Sequence, residues 1–261
     1  MRRRAFSIAA AVFVLWGQSA GAVELAAHKA EYKLTMDTSR GGSVTSGSGT
    51  MSYEVTDACD GWATRQRLVM LLTNSDGQDI RMVSDYTTYE GKDGLSLDFR
   101  MRQTTEQAVT SETEGKATLS RVGGPGTVTF TLPEAKTLPL PAGTLFPTAH
   151  TAALLQAAIA GKKFLALPLF DGTSPGGAQD SSVVINGWGT PYVTKFAPLA
   201  NLPSGRVHIA FFDHAASSQE PDYEVGMRYW ANGIADSLAM DFGDFVMGGK
   251  LVSLSVPKPG C

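Results

Sequence analysis

Tyr53-Glu-Val-Thr-Asp-Ala-Cys59-Asp-Gly-Trp62-Ala-Thr-Arg65-Gln66-Arg67 places one of only two cysteines beside a Gly-Trp step and the start of a strand-like run. The other cysteine is Cys261, the last residue, 202 positions further on. A bond between them would close nearly the whole chain into one loop and fasten the C-terminus to an early strand. After Trp62, the residues Thr64, Gln66, Leu68, Met70 and Leu72 fall on one face while Arg65 and Arg67 fall on the other. Period two of this kind predicts a half-buried strand.

The same alternation extends outward in both directions. Tyr32, Leu34 and Met36 alternate with Lys33, Thr35 and Asp37, and Gly49, Met51, Tyr53 and Val55 continue it after a Gly- and Ser-rich turn. Beyond Asn74-Ser-Asp-Gly77, a turn suited to left-handed backbone, Ile80, Met82, Ser84 and Tyr86 share a face. Leu95, Leu97, Phe99 and Met101 follow. These runs predict an antiparallel meander. The polar stretch 104–115 has few apolar positions to bury and predicts an exposed edge strand at the sheet rim. Gly123-Gly-Pro-Gly126 marks another hairpin.

At 138–147 the Pro-rich segment predicts a rigid extended connector, and 148–160 is the one convincing helix. Pro147 suits its first turn, where a missing N–H costs nothing, and Gly161 supplies the C-terminal stop. Ala152, Leu155 and Ile159 form the narrow stripe expected to pack on the sheet. The run 164–170 is apolar on both faces and predicts a buried strand or a groove wall. Further strands are expected around 183–189, 192–196, 206–214, 223–230, 238–247 and 250–256. The sum is mainly β: roughly a dozen antiparallel strands with one helix as lid or plug.

Composition narrows the setting. Met1-Arg2-Arg3-Arg4, an apolar run over 5–16 and Ala20-Gly21-Ala22 form a secretory signal peptide cleaved near Ala22. The domain organisation expected is a leader at 1–22 and a single β domain at 23–261. Export places the product in an oxidising space, where two cysteines pair more often than not. The alternative is a buried free Cys59 with an exposed terminal thiol. Loss of Arg2, Arg3 and Arg4 with the leader takes the formal charge from −3 to −6, which disfavours nucleic acid and anionic lipid surfaces as partners.

No catalytic or metal constellation stands out, and no cofactor is expected. Gly172-Thr173-Ser174-Pro175-Gly176 matches G-x-S-x-G by letter, but Pro175 lacks the N–H that a nucleophile elbow directs at the oxyanion. It reads as a turn. His208 and His214, six apart on one strand, are ~20 Å apart and cannot share a metal. His150 on the helix is a candidate lid or pocket contact, weighed against a structural hydrogen bond to a strand. Trp62, Trp188 and Trp230 are candidate pocket contacts, weighed against wall packing.

Cys59-Asp-Gly-Trp62 with Gln66-Arg67, Leu140-Pro-Ala-Gly-Thr-Leu-Phe-Pro147-Thr-Ala-His150, Leu169-Phe-Asp171-Gly172 and Trp230-Ala-Asn-Gly-Ile together resemble the EipB family of periplasmic cell-envelope integrity proteins, long catalogued as a domain of unknown function. The resemblance runs from about Leu25 to Cys261. It implies an oval β-spiral, part barrel and part overlapping sheet, with a disulfide between Cys59 and Cys261. It also implies a role in envelope integrity under stress, alongside a periplasmic tetratricopeptide-repeat protein, and an architecture similar to lipoprotein carriers. Two readings lead. One is a non-enzymatic protein that binds a protein partner, and the other a carrier or sensor of a lipid or lipoprotein acyl chain; an envelope hydrolase ranks third. A continuous apolar cavity of several hundred Å³ favours the carrier, and a filled interior favours the partner.

Overall fold

The computed structural model describes residues 23–214 and 220–258. The expected leader and Cys261 lie outside them. Fourteen strands make one antiparallel sheet: β1 (His28–Ser39), β2 (Val44–Asp57), β3 (Gly61–Asn74), β4 (Asp79–Gly91), β5 (Ser96–Thr105), β6 (Ala108–Leu119), β7 (Gly126–Leu132), β8 (Lys136–Leu140), β9 (Phe164–Leu169), β10 (Gln179–Pro191), β11 (Pro203–Asp213), β12 (Tyr223–Trp230), β13 (Ala235–Asp241) and β14 (Phe245–Ser255). One helix, α1 (Pro147–Ile159), separates β8 from β9.

The alternation written in the sequence appears directly as burial. In β1, Ala30, Tyr32 and Leu34 are buried while Lys29, Glu31 and Lys33 face solvent. Each strand pairs with its sequence neighbours, giving two meanders, β1 to β8 and β9 to β14. These are stitched into one sheet by the antiparallel pairing of β1 with β14, with Lys29 opposite Ser255 and Leu34 opposite Gly249. The C-terminal strand is thus hydrogen-bonded to the first one. Two register shifts in that pair add the local twist that bulges bring. Gly49 lies next to Leu34 on β2, where a Cβ would come 2.2 Å from the Val69 carbonyl oxygen. A side chain there would block the tight curl of the sheet.

The sheet does not close on itself. β8 and β9 are its two edges, and Leu145 overlaps the β9 edge through Leu145 N–H to Pro168 O (2.9 Å) and Phe170 N–H to Leu145 O (3.0 Å). The result is the expected open spiral. Three apolar clusters line its inside. One gathers residues of β1, β2, β3, β13 and β14 around Leu34, Trp230 and Met247. A second packs Phe99, Phe130, Phe146 and Phe170 with leucines and Val128. In the third, Leu154, Leu155 and Ala158 of α1 lie on Val183, Ile185, Val207 and Ile209 of β10 and β11.

Several sequence expectations need correction. The polar stretch 104–115 is a rim only in part: the chain reverses at Glu106 and Gln107, both at positive φ, the first half of β6 pairs with β5 alone, and from Glu114 onward β6 is paired with β7 as well. The run 164–170 is not a buried strand, because β9 is an edge and Phe164 is 74% exposed. The connector at 138–147 begins inside β8. Residues 192–196 form no strand and lead into a short 3-10 turn at Ala197–Leu199. On α1, Leu155 is buried but Ile159 is 53% exposed, and the packed face comprises His150, Leu154, Leu155, Ala157 and Ala158.

Candidate functional site

The inward faces of the two meanders do not meet everywhere. Between β1–β5 on one side, β12 and β13 on the other, and the first turns of α1, they leave a cavity of about 640 Å³. That lies within the ~300–1,000 Å³ of typical small-molecule sites. A comparably large concavity, about 690 Å³, lies on the outer face of β1–β3, where Glu31, Lys33 and Arg67 line it. Those are the solvent-facing partners of the inward residues, so the inner space is the better site.

Register assigns chemistry along the inner wall. Toward the α1 end, Tyr53 stands opposite Gln66, Gln66 opposite Tyr86, and Thr64 opposite Thr88. Thr148 and Thr151 of α1, Asp171 and Tyr229 complete this polar end. Two rows further along the strands, Met70 stands opposite Met82, and on the facing wall Met227 stands opposite Leu238 and Val225 opposite Met240. Along β2, β3 and β4 the wall therefore runs from a polar to a Met-rich end, while on β5 Met101 stands opposite Tyr86 and Gln103 opposite Ser84. Methionine suits the second end, since its unbranched thioether follows irregular apolar shapes.

The polar end is built by long-range contacts. Tyr86 donates to the Asp171 carbonyl oxygen at 2.6 Å. Glu90 of β4, only 2% exposed, accepts from the backbone N–H groups of Thr148 (2.7 Å) and Ala149 (2.9 Å). This carboxylate takes up the unpaired donors of the α1 N-terminus. It is a cap supplied from another element, since α1 has no side-chain cap of its own. Burial raises the Glu90 pKa, with the two N–H bonds pulling it back. Burial likewise raises Asp171, against the bonds from the Thr173 N–H and hydroxyl. Tyr53, Tyr86 and Tyr229 are all shifted upward by burial and stay neutral phenols. His28 is held below its usual value by burial, opposed by its bond to the Ala26 carbonyl, and is neutral too.

The four candidate contacts read from the sequence stand around this space rather than on its lining. His150 is buried in the joint between α1 and the sheet. Its Nε2 lies 2.7 Å from Ser181 Oγ, and Ser181 donates to the Leu167 carbonyl at 2.7 Å, so the imidazole N–H donates to the serine oxygen. Burial lowers its pKa to about 4. Trp62 stands at the end of β3, with Lys92 Nζ 4.8 Å from its ring centroid. Trp188 packs beside the α1 cluster. Trp230 is fully buried in the first cluster, and its indole N–H has no acceptor among the described residues. Cys59 occupies the β2–β3 turn at φ 72°, and its expected partner Cys261 lies outside the described residues. His208 bonds Glu224 and His214 bonds Asp180 on the outside. Among the described residues, no group of three or more His, Cys, Asp and Glu could hold a metal.

The lining residues that matter were written in the inward faces of β2, β3 and β4, which the sequence alternation already assigned. What it could not give was that the facing walls stay apart there.

An open antiparallel spiral around an amphipathic interior, with a helix seated at the polar end, defines a single-helix, β-barrel-like class of protein. The crystal structure of a beta-barrel-like protein of a domain of unknown function from Brucella abortus has this fold, with a TM-score of 0.82 and 30% sequence identity, covering 91% of this chain and all of that one. The EipB-like family profile matches residues 19–258, and the chain belongs to that family. It is 33% identical over 275 aligned positions to the cell envelope integrity protein EipB of Brucella abortus strain 2308, across 99% of this chain and 96% of the relative. Among the described residues no helix is long and apolar enough to cross a membrane.

Proposed function

We propose that this protein works in the periplasm, without catalysis, to maintain the cell envelope, and does so by holding an amphiphile with its acyl chain among the methionines. The relative's envelope-integrity name supports the setting. The single observation that carries the molecular reading is the cavity of about 640 Å³ with one polar and one Met-rich end. A partner-binding scaffold has no need of an open interior, so the carrier reading stands ahead of the one built on a tetratricopeptide-repeat partner.

Filling the space tests it. Ser84, opposite Leu68 on the inner wall, changed to Trp occupies the middle of the cavity. Ser84→Trp is expected to melt near the parent temperature, to lose binding of an environment-sensitive fluorescent fatty amide, and to leave cells that depend on it sensitive to detergent. A folded Ser84→Trp protein that protects cells fully places the function elsewhere on the molecule.

The Cys59–Cys261 disulfide belongs to the same proposal. Its support is topological. β2 and β14 flank β1 and are both antiparallel to it, so they leave the sheet at the same end, with Glu54 and Ser255 both opposite Lys29. That is two strand spacings, ~10 Å, and the six residues after Ser255 reach up to ~20 Å. Reduction is expected to lower the melting temperature, reflecting on the order of 5 kcal/mol in the loop-entropy picture. Cys59→Ser should match that loss and make the protein insensitive to reductant; unchanged melting in both cases removes the bond from the account.

A further inference from the structure

The polar end of the cavity is polar without being cationic. Among the described residues, no lysine or arginine lines the space. Arg65 and Arg67 of β3 alternate with inward Gln66 and Leu68 and are exposed on the outer face. The N-terminus of α1, which would attract an anion, is already taken up, because the Glu90 carboxyl engages the N–H groups of Thr148 and Ala149. Asp171 adds a second acidic side chain near the same end, its oxygen committed to Thr173. A carboxylate or phosphate entering here would give up its hydration with no cation to receive it, which is the costliest way to bury a charge. What the wall does offer is neutral hydrogen-bonding capacity: the amides of Gln66 and Gln103, the hydroxyl of Thr88 and the phenol oxygens of Tyr53, Tyr86 and Tyr229.

Resting on the carrier reading above, we infer that the amphiphile taken by this cavity carries an uncharged, hydrogen-bonding polar group, an acyl ester or amide with hydroxyls as in an acylglycerol, and that free fatty acids and phosphate-headed lipids are rejected. The discriminating element is the pairing of Glu90 with α1, which closes the helix terminus to a ligand anion, together with the Gln66–Tyr86 row beside it.

Two amphiphiles of identical chain separate head-group charge from chain length. The mature chain is titrated at pH 7.5 with 1-lauroylglycerol and, separately, with laurate, each read by displacement of a bound fluorescent probe. The glyceride is expected to bind at least tenfold more tightly. Gln66→Lys, which places a cation on the polar wall in place of a neutral amide, should raise laurate affinity about tenfold while weakening the glyceride, so that the preference between the two narrows or reverses, and Gln103→Lys serves as a second such variant if the first fails to fold. Laurate binding as tightly as the glyceride in the parent protein overturns the head-group inference and leaves the carrier reading intact. Displacement by neither overturns both.

Discussion

The same sheet encloses two interiors of opposite character. Where β5, β6 and β7 meet the residues flanking α1, Phe99, Phe130, Phe146 and Phe170 pack edge to face, with centroids 5.4–6.5 Å apart, and Leu97, Val128 and Leu140 fill what remains. This end is solid. Where β2, β3 and β4 face β12 and β13, the inward residues are methionine, tyrosine, threonine and glutamine, and a cavity of about 640 Å³ remains. The difference lies in side-chain choice on one continuous backbone. Rigid rings that lock into one another specify a closed core, whereas flexible thioethers and hydrogen-bonded phenols hold a wall in place without reaching the opposite one.

Substitutions break or sharpen that contrast. The largest expected effect is in the closed end: Phe130→Ala removes a fully buried ring that touches two others and should cost about 3–5 kcal/mol in chemical denaturation. Next comes the joint between α1 and the sheet. His150→Gln loses a buried ring and its bond to Ser181, for about 2 kcal/mol at pH 7.5. The pH dependence has a definite sign. The folded pKa of about 4 lies below the ordinary 6.5, so the stability that the neutral ring brings is fully present above 6.5 and is lost as pH falls toward 4. The gap between parent and His150→Gln should therefore shrink over that window. His28 contributes a slope of the same sign and Glu90 one of the opposite sign, and both cancel in the difference. The smallest effect belongs to the open end. Met82→Ala trims a wall that already borders empty space and should cost about 1 kcal/mol, while weakening binding of a long-chain amphiphile. A loss at Met82 as large as that at Phe130 would mean that the two interiors are packed alike.

The strand faces were largely legible in the sequence because one side of each strand is buried, which writes period two into β1 to β5. The helix was legible from Pro147 and Gly161, although its true N-terminal cap, Glu90, sits 58 residues before Thr148 and leaves no local signature. The edges were only partly legible from hydrophobicity. The polar run does reach a rim in the first half of β6, which pairs with β5 alone, whereas the apolar run 164–170, read as a buried strand or a groove wall, supplies the edge strand β9; β8 and β9 each contain a proline, Pro139 and Pro168, and proline within a strand is the mark of an edge. The cavity was not legible. Alternation says which side chains point inward but not how far apart the walls stand, and that depends on pairing between strands separated by most of the chain, as in β1 with β14. The tryptophans and His150 drew attention as large or titratable groups in apolar surroundings, and each proved to sit around the cavity rather than on it. The inward run Met51, Met70, Met82 and Met101 was in view and was the more informative signal.

The central claim is that the open interior is occupied by an amphiphile in its own compartment. Protein purified from cell envelopes without detergent, extracted with organic solvent and analysed by mass spectrometry, tests it most directly. The account predicts an uncharged acyl amphiphile at close to one per chain, absent from Ser84→Trp protein prepared in parallel. Parent protein that yields no lipid above the level of that filled variant, preparation after preparation, contradicts it.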